Sequence, residues 1–195
     1  MEYPGRPSGE PSQQKINVVL QSLARSKDVD ADLSQVLDVA ISMTCADLGT
    51  LQRFDDADDS LQIVASRGFS EEALAFFRTV RRDTNTTCAV ALTRRVHVFV
   101  GDICESYLFV GSPELEVLRR LGIAAAQSTP LISRTGRFWG VVSTYFREPQ
   151  AEGCFDHLSL NRLAVQVADS LEQRETLSSN PISPDEQDSL PTERS

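Results

Sequence analysis

Four cysteines and two histidines are the side chains of this sequence best suited to chemistry, and their spacing restricts what that chemistry can be. Cys45, Cys88, Cys104 and Cys154 are widely separated, with no C-x-x-C pair and no zinc-ligand spacing. They read as reduced thiols in or near a core. Cys88 stands apart, because it opens a short segment, Cys88–Thr93, that reads as a helix. A thiol at a helix N-terminus has a lowered pKa and can react or hold a ligand, but a small apolar residue packing the start of that helix is the simpler reading. His97 alternates with Val96 and Val98 and shares a strand face with Phe99. One axial histidine can hold a haem, but a histidine half-buried on a sheet is the simpler reading. His157 opens the last helix and lacks the pattern that follows a phosphoacceptor histidine. The acidic run 55–60 lacks the glycine and the closing glutamate of an EF-hand loop, so it reads as a solvated turn.

These residues need elements to hold them. Ile16, Val19, Leu20 and Leu23 form a helical stripe. Leu33, Val36, Leu37, Ala40 and Ile41 form another, with Asp30 as the expected cap and Gly49 as the stop. Residues 50–54 and 61–67 read as a hairpin across the acidic turn. Ser70 caps an expected helix over 71–80, and 95–100 reads as a strand. Ser112 caps a helix over 113–121, stopped by Gly122. Residues 123–132 and 137–147 read as a second hairpin, turned at 133–136. Leu160, Leu163, Ala164, Val167, Ala168 and Leu171 give the last helical stripe. Strands paired as hairpins imply an antiparallel sheet, and the helices must cover its faces, so the fold class is α+β.

Composition bounds the rest. The 195 residues suit one domain, with 41% hydrophobic and 24% charged residues. Six of the nine prolines lie in 1–14 and 176–195, so those ends read as disordered tails around a folded unit of 15–175. A net charge of −9 disfavours nucleic acid and anionic membrane surfaces. No apolar run is long enough to span a bilayer and the N-terminus lacks a secretory signal, so a cytoplasmic location is expected.

The run from Leu61 to Glu72, LQIVASRGFSEE, resembles the second strand and following helix of a GAF domain. The run from Gln127 to Pro149, QSTPLISRTGRFWGVVSTYFREP, resembles the last hairpin of the same family. The likeness is to GAF modules of bacterial sensor histidine kinases and related signalling proteins. It implies a GAF/PAS-like antiparallel sheet with helices on both faces, and a non-enzymatic sensory or regulatory role. The module would bind a small molecule or mediate dimerisation, with the first and last helices as the expected homodimer seam. Its signal would pass to a separate kinase or regulator protein.

The resemblance also implies that the segment around Cys88 borders a ligand cavity. Phe77, Cys88, Phe99, Phe109, Thr129, Trp139 and Thr144 are the expected ligand-binding residues, as aromatic and polar groups of a default pocket. Strand alternation puts Trp139, Val141, Ser143 and Tyr145 on one face and Phe138, Val142, Thr144 and Phe146 on the other, without saying which faces the cavity. No cofactor follows: there is no Cys-His pair for a bilin and no cyclic-nucleotide motif. The alternative is a thiol redox enzyme or switch of the free methionine sulfoxide reductase type, using Cys88 and Cys104. Against it, residues 122–128 carry no cysteine where that family has its nucleophile.

Overall fold

Helix starts in this chain follow short polar side chains that satisfy otherwise unpaired backbone N–H groups. Ser70, Thr86 and Ser112 each accept from the backbone N–H three residues on, at 3.2, 3.2 and 3.3 Å. Asp28, not the expected Asp30, does this for the second helix, accepting from Ala31 N at 3.0 Å. A computed structural model describes residues 13–25, 28–151, 153 and 157–179. The elements are α1 (Gln13–Arg25), α2 (Val29–Thr44), β1 (Leu48–Asp55), β2 (Ser60–Arg67), α3 (Glu71–Phe76), β3 (Thr79–Val80), α4 (Thr87–Arg94), β4 (Val98–Val100), α5 (Pro113–Arg120), β5 (Ala125–Ile132), β6 (Phe138–Phe146) and α6 (His157–Ser179).

The six strands form one antiparallel sheet in the order β3-β2-β1-β6-β5-β4, and the expected α+β class holds. Both expected hairpins are present. One face carries α1, α2 and α6, whose Leu23, Leu33, Leu37, Leu160 and Val167 pack on Leu51, Leu131 and Val142 of the sheet. The other face carries α3, α4 and α5. There Phe77, Ala91, Leu92, Ile103, Phe109 and Leu118 pack on Leu48, Leu61, Val141 and Tyr145. Each buried Leu or Phe contributes roughly 1.5–3 kcal/mol.

Several boundaries differ from the expectation, each for a tertiary reason. Gly49 is a strand residue, and a Cβ there would come within 2.8 Å of Leu37 Cδ1, so its role is close approach of α2 to β1. Cys45, at φ 50°, ends α2 instead. The helix expected over 71–80 stops at Phe76, because Thr79 and Val80 pair with Gln62 and Leu61 as an edge strand. Arg95 is not the start of a strand. It is the left-handed cap of α4 at φ 58°, and its guanidinium lies 3.4 Å from the Phe138 ring centroid. Helix α1 begins at Gln13 and α6 runs to Ser179, so the inner ends of the two expected tails are helical. The remainder of those tails, 1–12 and 180–195, lies outside the described residues, as does Cys154. No helix among the described residues is long and apolar enough to cross a membrane.

Candidate ligand cavity

A strand exposes alternate side chains to alternate faces, so pairing assigns each residue of β1, β5 and β6 to a face. Leu51 opposes Val142 on the α1/α2/α6 face, which puts Thr50 and Gln52 on the other. Tyr145 and Ser143 share that second face, opposite Ala126 and Ser128. The alternation then slips. Leu131 pairs with Gly140 and Ile132 with Phe138, leaving Trp139 as the extra residue of a β-bulge. Gly140 permits the bulge at φ 153°, where a Cβ would fall 2.0 Å from Gln52 O. Phe138 therefore packs with Val141, and Trp139 is carried to the α1/α2/α6 face with Val142.

On the second face, α3, α4, α5 and the segment before α5 close over a cavity of about 20 Å³, room for about one water. The sheet supplies a mostly polar wall of Thr50, Gln52, Ile63 and Tyr145. Helix α4 adds Thr86, Thr87 and Cys88. The facing wall is apolar: Phe69, Phe77, Val80, Phe109 and Leu118. The two walls meet where Phe69 is set edge-on to Tyr145 at 5.2 Å between centroids.

The polar groups are nearly all paired. Tyr145 Oη and Thr50 Oγ1 are 3.3 Å apart. The Cys88 thiol donates to Thr86 Oγ1 at 3.2 Å, and the Gln52 amide hydrogen-bonds the Cys88 sulfur. Behind the cavity, Ser128 Oγ links to Thr87 Oγ1 at 2.8 Å and to Ser143 Oγ at 2.7 Å. Gln52 Oε1 is the exception: the residue is 2% exposed and this oxygen has no partner. Burial pushes the Cys88 thiol up, outweighing its hydrogen bonds with Thr86, the local backbone and Gln52. The helix N-terminus therefore does not activate this thiol, since desolvation of the thiolate costs more than the dipole returns, and Cys88 fits the simpler reading of a small packing residue at the start of α4. Burial likewise raises Tyr145. Both groups stay neutral, and no Asp, Glu, Lys, Arg or His lines the cavity.

Of the seven expected site residues, Phe77, Cys88 and Phe109 line this cavity. The other four lie on the opposite face of the sheet. Phe99 pairs with Gln127 on β5, and Thr144 accepts from Gln127 Nε2 at 2.9 Å. Thr129 Oγ1 is 2.8 Å from His97 Nδ1. Trp139 is there because of the bulge. The segment around Cys88 borders the cavity as the resemblance implies, through Thr86, Thr87 and Cys88, whereas sequence reasoning missed Thr50, Gln52 and Phe69. The signal for the first two was present: if Leu51 is core, Thr50 and Gln52 share the other face. The thiol pair of the redox alternative is not assembled either, since Cys104 is exposed and outside the lining while Cys88 is buried. His97 is also off this cavity.

The family follows from comparison. The GAF domain family model matches residues 26–172, and the chain belongs to the GAF domain family. No curated protein matches the chain in sequence. Among solved structures, a domain of a putative two-component sensor histidine kinase protein from Sinorhizobium meliloti is 23% identical. It has a TM-score of 0.62 and coverage of 79% of this chain and 98% of that one. The GAF domain of an Acinetobacter phosphoenolpyruvate-protein phosphotransferase is 13% identical, with a TM-score of 0.64 and coverage of 86% and 96%. The free methionine-R-sulfoxide reductase of Neisseria meningitidis, solved with its substrate, is 17% identical, with a TM-score of 0.67 and coverage of 90% and 97%. At such identities these likenesses show the fold.

Proposed function

We propose that this chain is a sensory or regulatory module of signal transduction that binds a small molecule in the cavity beneath α3, α4 and α5 and performs no catalysis. The observation that carries this reading is Gln52 Oε1, a buried acceptor left unpaired inside a cavity whose other polar groups are satisfied. An unmet buried hydrogen bond costs about 1–3 kcal/mol, and of the buried unpaired polar atoms among the described residues Gln52 Oε1 is the one whose residue lines the cavity, where a guest can relieve that cost. The signal passes to a separate kinase or regulator through a cytoplasmic homodimer joined at α1 and α6. Val18 on α1, 59% exposed, fits such a seam. The sensor-kinase neighbour supports the setting by analogy of fold.

The redox-enzyme alternative finds less support. A zwitterionic amino-acid substrate needs ionic partners, and the cavity lining offers none. A neutral, buried thiol is also a poor nucleophile. A second reading, a dimerisation module with a filled cavity, is favoured by the small cavity volume. Native mass spectrometry of the freshly purified protein, with an absorbance spectrum, separates these. A bound mass lost on denaturation is expected. A bare dimer that no small molecule stabilises favours the dimerisation module, and catalytic turnover of methionine sulfoxide by the purified protein would sink both.

A further inference from the structure

Resting on the reading that this cavity is a ligand site, we propose that its ligand is an uncharged molecule of about one aromatic ring that donates one N–H or O–H hydrogen bond to Gln52 Oε1.

Charge is the first constraint. No ionised group lines the cavity, and its two titratable groups, Cys88 and Tyr145, are held protonated by burial. A carboxylate, phosphate or ammonium brought here would lose its hydration and meet no counter-charge.

Hydrogen bonding is the second. On the polar wall Thr50 and Tyr145 serve each other, Cys88 serves Thr86, and the Gln52 amide group is engaged with Cys88. Gln52 Oε1 alone asks for a donor. A ligand with one donor completes the wall, whereas a ligand without one leaves that oxygen buried and unmet.

Shape is the third. The existing space admits about one water, so a larger guest must displace a side chain. Phe77 is the candidate. It caps the six-residue α3, beside Phe76, which is 45% exposed and in edge contact at 4.9 Å between centroids. Swinging the Phe77 ring outward vacates one ring's volume between Phe69, Phe109 and the polar wall, and an aromatic guest recovers the ring contacts that are lost.

The test uses the full chain and a panel of single-ring probes: phenol, indole, toluene, benzoate and benzylamine, each followed by thermal shift and calorimetry. Phenol and indole are expected to bind about tenfold tighter than toluene, with benzoate and benzylamine silent. In Gln52→Leu the phenol-over-toluene preference should vanish, while the unliganded protein melts higher because its unmet acceptor is gone. p-Nitrophenol gives an independent readout in the wild-type protein: its colour reports ionisation, and binding should convert the yellow phenolate to the colourless phenol. If benzoate or benzylamine binds as well as phenol, or bound p-nitrophenol stays yellow, the ligand class is wrong and the cavity reading survives. If phenol and toluene bind equally, the role of Gln52 Oε1 falls. If none of the panel binds, the ligand class falls. If Gln52→Leu then melts lower than the wild-type protein, the acceptor is met by a single trapped water and the cavity reading falls with it.

Discussion

The imidazole rings of His97 and His157, the only two histidines of the chain, stand 6.1 Å apart between centroids. One sits beside the edge strand β4 and the other at the start of α6, so the two rings stand where the sheet margin meets the last helix.

This pairing predicts an acid-sensitive fold. Burial, with a smaller contribution from His157, holds the His97 pKa below its ordinary value. The unfolded chain takes up a proton as pH falls through about 6.5, and the folded chain resists it. Stability is therefore full above that pH, falls as pH drops through the window below it, and levels off once the folded-state pKa is passed. Urea midpoints measured from pH 7.5 to pH 5 should decline, and His97→Gln should flatten part of the decline. An unchanged slope in His97→Gln would show that other groups govern the acid response.

The buried Cys88 thiol should be inert in the native state. With a thiol reagent at pH 8, Cys104→Ser should remove one fast-reacting group and Cys88→Ser none, whereas in denaturant each substitution removes one. Fast native labelling of Cys88 would revive the redox reading.

Gly140→Ala should be severely destabilising, on the order of 3 kcal/mol or more, because the new Cβ meets a backbone carbonyl in a central strand. The check is a urea titration. A cost below about 1 kcal/mol would mean that the bulge rearranges at little expense.

Thr86 both caps α4 and accepts from the Cys88 thiol. Thr86→Ala should cost about 1 kcal/mol and speed Cys88 labelling, while Thr86→Ser should keep both properties. Chemical denaturation and labelling rates read the two effects separately.

Much of this molecule was legible one segment at a time. Ser70 and Ser112 announce their helices because a cap needs only the next three residues. The two hairpins are visible because their strands are separated by polar turns. The last helix is visible because its apolar stripe faces a single core. The family resemblance rests on the same local runs, and the family match bears it out.

What the sequence left open is whatever depends on a partner strand or a distant segment. Counting by twos along β6 puts Trp139 with Tyr145, but the count assumes an unbroken pleat. The bulge at Trp139 and Gly140 shifts the parity by one residue, and it forms where β6 lies between β1 and β5. Gln52 looks in sequence like a polar position on a half-exposed strand. It becomes a buried, unpaired acceptor only when α3, α4 and the segment before α5 close over it. Local propensity thus determined most of the elements and where most of them begin, the edge strand β3 being made by its pairing with β2. Long-range pairing decided which sheet face holds the cavity, because a side chain's neighbours across a sheet are set by register and not by the residues next to it in the chain.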